Sequence, residues 1–393
     1  MRPVRPVFPY SRGFSVVELL ISVVIGMLAL VFAMRLITGS EQSKQSALGS
    51  SDSMQNGMLA MFSISGDASQ AGFSLNDPLL LGCNTRFGDK SGYTLAPATR
   101  AGATIHPLAP AIIESNGSAP DVISLYSGSS LSGTGTMRLV ADYRGGTQFE
   151  VDRDRYGFAL GDVVVIAPED RRGDCALAQI SAMPPLEAGK NPKVMIGAGT
   201  NLRYNADEIG VYFDSGKARI FNLGPAATLS LHTWSVDNGF LRLRSTDMAG
   251  ANAAPATVAD NIVSIKAQYG FDTRAAAVFA ARNGMRVGRW SAAMVDADGD
   301  SVTGGAGDYE RVAAVRIAVV ARSKTRERPN AAGVCSATPN RPRVFATEEP
   351  AGVTAVPMTV DVAVPNEPAD TWRCYRYRVF ETVVALRNAD WKP

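Results

Sequence analysis

The chain has 393 residues, with 39 Lys and Arg against 37 Asp and Glu and a formal charge of +2. Charged residues are 19% and aromatic residues 8%, a composition that fits a folded body and excludes a disordered chain. No clustered basic excess marks a nucleic-acid footprint, so nucleic acid is not an expected partner.

The first predicted element is an apolar helix. Arg2, Arg5 and Arg12 precede it, and no acid lies among the first thirteen residues. Leu19 to Met34 contain only Ser22 as a polar residue, and Phe14 to Ile37 would make about 36 Å of helix, enough to cross a bilayer. A cleaved secretory signal would have a shorter apolar region and a small-x-small site after it. Here the run continues into "TGSEQSKQSALGSS" without such a site. The leading arginines place the first residues in the cytoplasm and export the body. Glu18 is the anomaly. An acid inside a membrane segment costs on the order of 3 kcal/mol at the helix centre and less near its end, and such residues read as functional by default.

The stretch Arg12-Gly13-Phe14-Ser15-Val16-Val17-Glu18-Leu19 resembles the type III signal of type IV pilins and type II secretion pseudopilins. The resemblance implies that a prepilin peptidase cleaves after Gly13 and N-methylates Phe14. It makes Glu18 the family's fifth-position glutamate, which meets the α-amino group of a neighbouring subunit's first residue when helices bundle in a filament. A carboxylate buried there needs a charged partner.

Segment 40–72 continues the helix. Met54, Met58, Met61 and Phe62 recur at helical spacing, and we expect that face to lie on a globular body. Gly49, Gly57 and Gly66 weaken the helix, and Gly72 is placed to cap it. From about 73 to 257 short apolar runs alternate with Gly, Pro, Asn and Asp, which predicts strands at 121–126, 161–167, 175–180, 210–213, 217–222 and 240–244. Asp237-Asn238-Gly239 between 230–236 and 240–244 predicts a hairpin. Gly128 to Gly135 is a loop without the ending of a phosphate-binding motif. A second β-rich part over 258–393 carries a long strand at 258–271, a helical turn into a buried strand at 309–322, and an alternating strand at 375–388. These three stretches resemble the PilW group of minor pilins, through Asp260-Asn261-Ile262, Arg311-Val312-Ala313-Ala314-Val315-Arg316-Ile317-Ala318 and Phe380-Glu381-Thr382.

Little in the sequence points to catalysis. His106 and His232 are the only histidines, and neither has ligand-type neighbours in sequence, so no enzyme is expected. Asp296, Asp298 and Asp300 match the first half of a calcium loop. Ser301 replaces the expected glycine and Gly307 the expected acid, so calcium binding would need Asp308 or Glu310 to complete a variant site. Otherwise the loop is a solvated turn and no cofactor is expected. Cys83, Cys175, Cys335 and Cys374 show no C-x-x-C spacing. An exported body makes disulfides the expectation, and we expect Cys83–Cys175 and Cys335–Cys374 because each pair lies within one half of the chain. Free buried thiols are the alternative. Arg322 to Arg328 reads as a solvated strand end, and 329–371 as a long surface loop pinned by Cys335 and Cys374.

The expected fold is α+β and type IV pilin-like, with a long membrane-anchoring N-terminal helix packed on a large, mostly antiparallel β body. The expected parts are a cleaved leader at 1–13, the pilin helix at 14–72 with its transmembrane part at 14–37, and two β-rich parts at 73–257 and 258–393. The resemblance implies a minor pilin that joins other minor pilins and the major pilin to prime pilus assembly at the tip, supporting twitching motility and adhesion. Its further partners would be the prepilin peptidase, a tip adhesin and the inner membrane. It would lie in the inner membrane with a periplasmic body before assembly and in the pilus afterwards. The alternative is a minor pseudopilin at the tip of a type II secretion pseudopilus.

Overall fold

The computed structural model describes residues 13, 15–75, 77–130, 136–205, 209–330, 332–364 and 367–386. Phe14 and the first twelve leader residues lie outside the described residues. The chain divides into two units, Met1–Ser51 and Asp52–Pro393. One helix, α1 (Val16–Gln70), begins in the first unit and ends in the second.

Among the described residues, three larger, antiparallel-dominated sheets and three two-stranded ones build the second unit. The first has six strands in the order 107–108, 83–86, 175–179, 162–168, 218–225, 136–138, with a single parallel pairing between 83–86 and 175–179. The second has five, in the order 256–260, 240–245, 230–237, 122–127, 111–114. The third has four, in the order 289–291, 262–271, 312–322, 377–385. The body is therefore α+β with a long helix and mostly antiparallel strands. The expected division at 257 falls inside the strand Ala256–Asp260.

Two continuous apolar runs of the body are strands buried on both faces, Asp162–Pro168 and Val312–Arg322. In Val312–Arg322, Val315, Ile317, Val319 and Ala321 face one core together with the end of α1 and the five-stranded sheet. Ala318 and Val320 face another core with Val344, Phe345, Val360, Val362 and Trp372. Segment 329–371 is thus no plain surface loop. It carries the paired strands Arg343–Val344 and Met358–Thr359 and covers one face of the third sheet. The same period of two splits Asp162–Pro168, with Val163 and Val165 in one core and Val164 and Ile166 in the next.

The strands expected at 121–126, 161–167, 175–180 and 217–222, and the hairpin at 237–239, all form. The expected strand at 210–213 does not. Gly210 has φ +60°, and only Phe213 bridges to Tyr143. The long strand expected at 258–271 is two strands, split where Asn261 takes φ +57°.

The Met-rich face of the helix, expected on the body, meets it only through Met61, which is half-buried against the core. Met54, Met58 and Phe62 are exposed, Phe62 at 77%. The buried face is Ala60, Ile64 and Ala68, continued by Ala71 beyond the helix end. Small side chains let the helix approach the sheets closely, and Gly57 takes this furthest. A Cβ there would sit 2.0 Å from Phe380 Cε2 on the edge strand Tyr377–Ala385. Gly57→Leu is expected to destabilise the body by about 2 kcal/mol through overpacking. Gly66 has nothing within 4 Å of its Cβ position. Gly66→Ala is therefore expected to be neutral or to stabilise by up to about 1 kcal/mol through helix propensity. Chemical denaturation of the two variants checks the contrast, and equal effects would reject this packing.

Candidate functional site

Three features of the chain bear on function: the apolar start of α1, the clasp at its end, and the acidic loop before α2 (Ala306–Glu310). Val16–Ile37 has a mean hydropathy of 2.7 and is long and apolar enough to cross a membrane. Glu18 is exposed in its first turn. The Glu18 carboxylate accepts a hydrogen bond from the Ser15 amide at 3.3 Å, and the Ser22 hydroxyl donates to the Glu18 carbonyl at 2.7 Å. An acid in the first turn also suits the positive end of the helix dipole. Among the described residues, nothing lies within 4 Å of the Cβ position of Gly13. Phe14 itself lies outside the described residues.

The far end of the helix meets a charge cluster that sequence reasoning missed. His232 Nδ1 lies 2.7 Å from Asp67 Oδ2, and Nε2 lies 2.8 Å from Asp247 Oδ1. Trp234 Nε1 donates to the same Asp67 oxygen at 2.8 Å. Burial opposes a charge on the imidazole, but the hydrogen bonds to Asp247 and Asp67 outweigh it and raise the pKa to about 9. Burial pushes the Asp247 carboxyl up, yet the bonds from His232 and Ser245 hold it down at about 2. Ser230 Oγ is also 3.0 Å from Nε2, which gives the outline of a Ser-His-Asp arrangement. The chemistry does not follow. An imidazolium that donates from both nitrogens has no lone pair with which to take the serine proton. The cluster is a clasp that fixes the last turns of α1 to the strand Ser230–Asp237. His106 sits apart, with Nδ1 3.1 Å from the Leu95 carbonyl.

In the acidic loop the structure gathers Asp296, Asp298 and Asp308, with one carboxylate oxygen from each lying within 4.8 Å of the others. Asp300 is not in this trio; its Oδ1 accepts from the Val302 amide at 2.7 Å. Glu310 pairs with Arg171 at 3.2 Å. Asp308 is fully buried and accepts from the amides of Ala297, Gly304 and Gly305. Burial raises its pKa, and burial with the charges of Asp300 and Asp296 raises that of Asp298. The absence of a side chain at Gly307 makes room for Asp298, whose Oδ2 would be 1.8 Å from a Cβ there.

The four cysteines form two disulfides. Cys83–Cys175 ties the two parallel neighbours of the first sheet, and Cys335–Cys374 closes the segment over the third sheet. They join positions 92 and 39 residues apart. Crosslinks of such span restrict the unfolded chain.

The family model described as type IV pilus-assembly protein W, PilW, matches residues 232–388. This part of the chain is PilW-like. It begins at the clasp histidine, includes the third sheet and the acidic loop, and covers less than half of the chain. No curated protein matches the chain. Among solved structures, a type IV-like pilin from Thermus thermophilus is similar, at 10% identity and a TM-score of 0.28, over 86% of this chain and 96% of that one.

The clasp predicts a pH dependence. A folded-state pKa of about 9 against an ordinary 6.5 gives a contribution fully present below pH 6.5 and lost as pH rises through 9. Its acid limit is set by Asp247, whose contribution is lost as pH falls through about 2. His232→Gln is expected to cost roughly 2–3 kcal/mol at pH 6 and markedly less at pH 9.5. Urea unfolding of both proteins at the two pH values checks this, and a penalty independent of pH would reject the charged clasp.

Proposed function

We propose that this chain is a minor pilin that assembles with other minor pilins to prime type IV pilus assembly at the tip, in support of twitching motility and adhesion. One observation carries the reading: an apolar segment at Val16–Ile37 with Glu18 in its first turn stands at the head of a chain whose C-terminal part is PilW-like. In this reading the prepilin peptidase cuts after Gly13 and methylates Phe14. The body is held at the inner membrane, facing the periplasm, until the helix leaves the bilayer. Glu18 then pairs with the α-amino group of a neighbouring subunit. Met54, Met58, Leu59 and Phe62, exposed along one side of α1, supply apolar contact to that neighbour. A body this large suits a rare terminal position better than a repeating one, with the major pilin and an adhesin as further partners.

Mass spectrometry of sheared fibres tests the reading. The expected peptide begins at methylated Phe14, and Gly13→Ala is expected to leave the leader attached. Normal processing of that variant would sink the proposal. Deletion of the chain is expected to abolish twitching and leave exoprotein secretion intact. The reverse outcome would assign it to a type II secretion pseudopilus.

Calcium is proposed at Asp296, Asp298 and Asp308 rather than at Asp300. Oxygen ligands at this separation suit a hard divalent cation, which would also offset the mutual repulsion at Asp298. Calcium in excess over chelator is expected to raise the melting temperature by a few degrees. No shift would leave the trio as a hydrogen-bonded turn.

A further inference from the structure

Arg322, at the end of the strand Val312–Arg322, differs from the other arginines of the body. Among the described residues, every other buried or half-buried arginine has a hydrogen bond or an ion pair from its side chain. Arg316 is paired with Glu381 at 3.1 Å, Arg203 with Asp89 at 2.7 Å and Arg219 with Glu169 at 2.7 Å. Arg311 donates to the Asp272 carbonyl at 3.2 Å. Arg322 is half-buried, and its Nε is buried without a hydrogen-bond partner, as are those of Arg242, Arg244, Arg316 and Arg373. Unlike theirs, its guanidinium makes no hydrogen bond or ion pair among the described residues and is held over the Tyr375 ring at 4.5 Å. Withdrawing part of a guanidinium from water without a partner is costly, and a ring face only partly compensates for it.

The same side chain lines a cleft of about 410 Å³ within the body. Pro120, Val236, Val263 and Val364 form its apolar wall. At the hairpin turn, Gly239 leaves Arg322 Nη2 only 3.8 Å from the position of a Cβ. Asp361 also lines the cleft, but its carboxylate is engaged by Arg341 at 2.6 Å and by the Ala363 amide at 3.1 Å. That pair is locally neutral and leaves Arg322 as the uncompensated charge. An apolar concavity with one oriented cation is the usual form of a site for an amphipathic anion.

We propose that this cleft binds a carboxylate carried on a short branched apolar stem, with Arg322 on the carboxylate and the valine-lined wall on the stem. The inference does not rest on the pilin reading. The chemistry has two sources, the free C-terminus of another chain and a small branched acid.

The test uses the full chain in detergent, with acetyl-Ala-Val and 3-methylbutanoate as probes and their amides as controls, read by titration calorimetry. Each acid that binds is expected to do so about tenfold or more tightly than its amide. Tighter binding of acetyl-Ala-Val assigns the site to a chain terminus, and of 3-methylbutanoate to a small acid. Arg322→Met is expected to abolish the preference for acid while the melting temperature stays within about 2 °C of the parent or rises, because an unpaired charge is removed. A merely structural arginine would instead lower it. Should the Met variant not fold, Arg322→Lys is expected to weaken binding of the acid and leave the amide unchanged. Equal affinity for acid and amide, no binding of either acid, or unchanged acid affinity in the variants would overturn the proposal.

Discussion

The body depends on burying one strand on both faces. In Val312–Arg322, Val315, Ile317, Val319 and Ala321 lie in the core shared with α1 and the five-stranded sheet, and Ala318 and Val320 lie under segment 343–374. Every polar intrusion into that arrangement is then forced into a pair. Arg316 is fully buried, and Glu381 and Thr347 meet it. Lys266, on the neighbouring strand, donates to Asp121 and to the carbonyls of Gly117 and Ala119. Breaking such pairs is costly because a lone charge is left behind, so they fix which segment can cover which face.

The same packing constrains the helix. A chain that must present an apolar surface at Val16–Ile37 and also dock on sheets further along needs two different faces in one element. The docking face solves this with small residues. Ala60, Ala68 and Gly57 bring the backbone close, and Phe380 fills the space that Gly57 leaves. The larger Met54, Met58 and Phe62 are thereby pushed to the outside. Close approach favours small side chains over large ones at the contact, which inverts the simple expectation that the largest apolar residues lie inside.

This inversion marks where the sequence is legible. Apolar runs and turn chemistry identify the membrane-length helix, the hairpin at Asp237-Asn238-Gly239 and the long strands, because those signals are local. Helical spacing also identifies a face, but alanine and glycine carry too little hydrophobicity to compete with methionine in such a reading. The clasp was out of reach for another reason. His232 is 165 residues from Asp67 in sequence and 15 from Asp247, and only the fold brings them together. The acidic loop was half legible. Asp296 and Asp298 are visible from spacing, and Asp308 is one of two candidates to complete the site. Only the fold selects it over Glu310, because the chain turns back through Gly304 and Gly305, whose amides bond to Asp308, while Glu310 pairs with Arg171.

A general rule of charge placement connects these sites. His232, Lys266, Arg203 and Arg316 are removed from water, and each meets a carboxylate supplied by a distant part of the chain. Long-range pairing of this kind contributes less to net stability than to selecting one arrangement of segments, since each cation accepts only the fold that delivers its acid. Arg322 departs from the rule at the mouth of a cleft, not in a packed core. A chain that gives each of its other half-buried or buried arginines at least one internal partner has placed this one along a cleft where the missing acceptor can come from outside, and that placement separates a recognition feature from a packing defect.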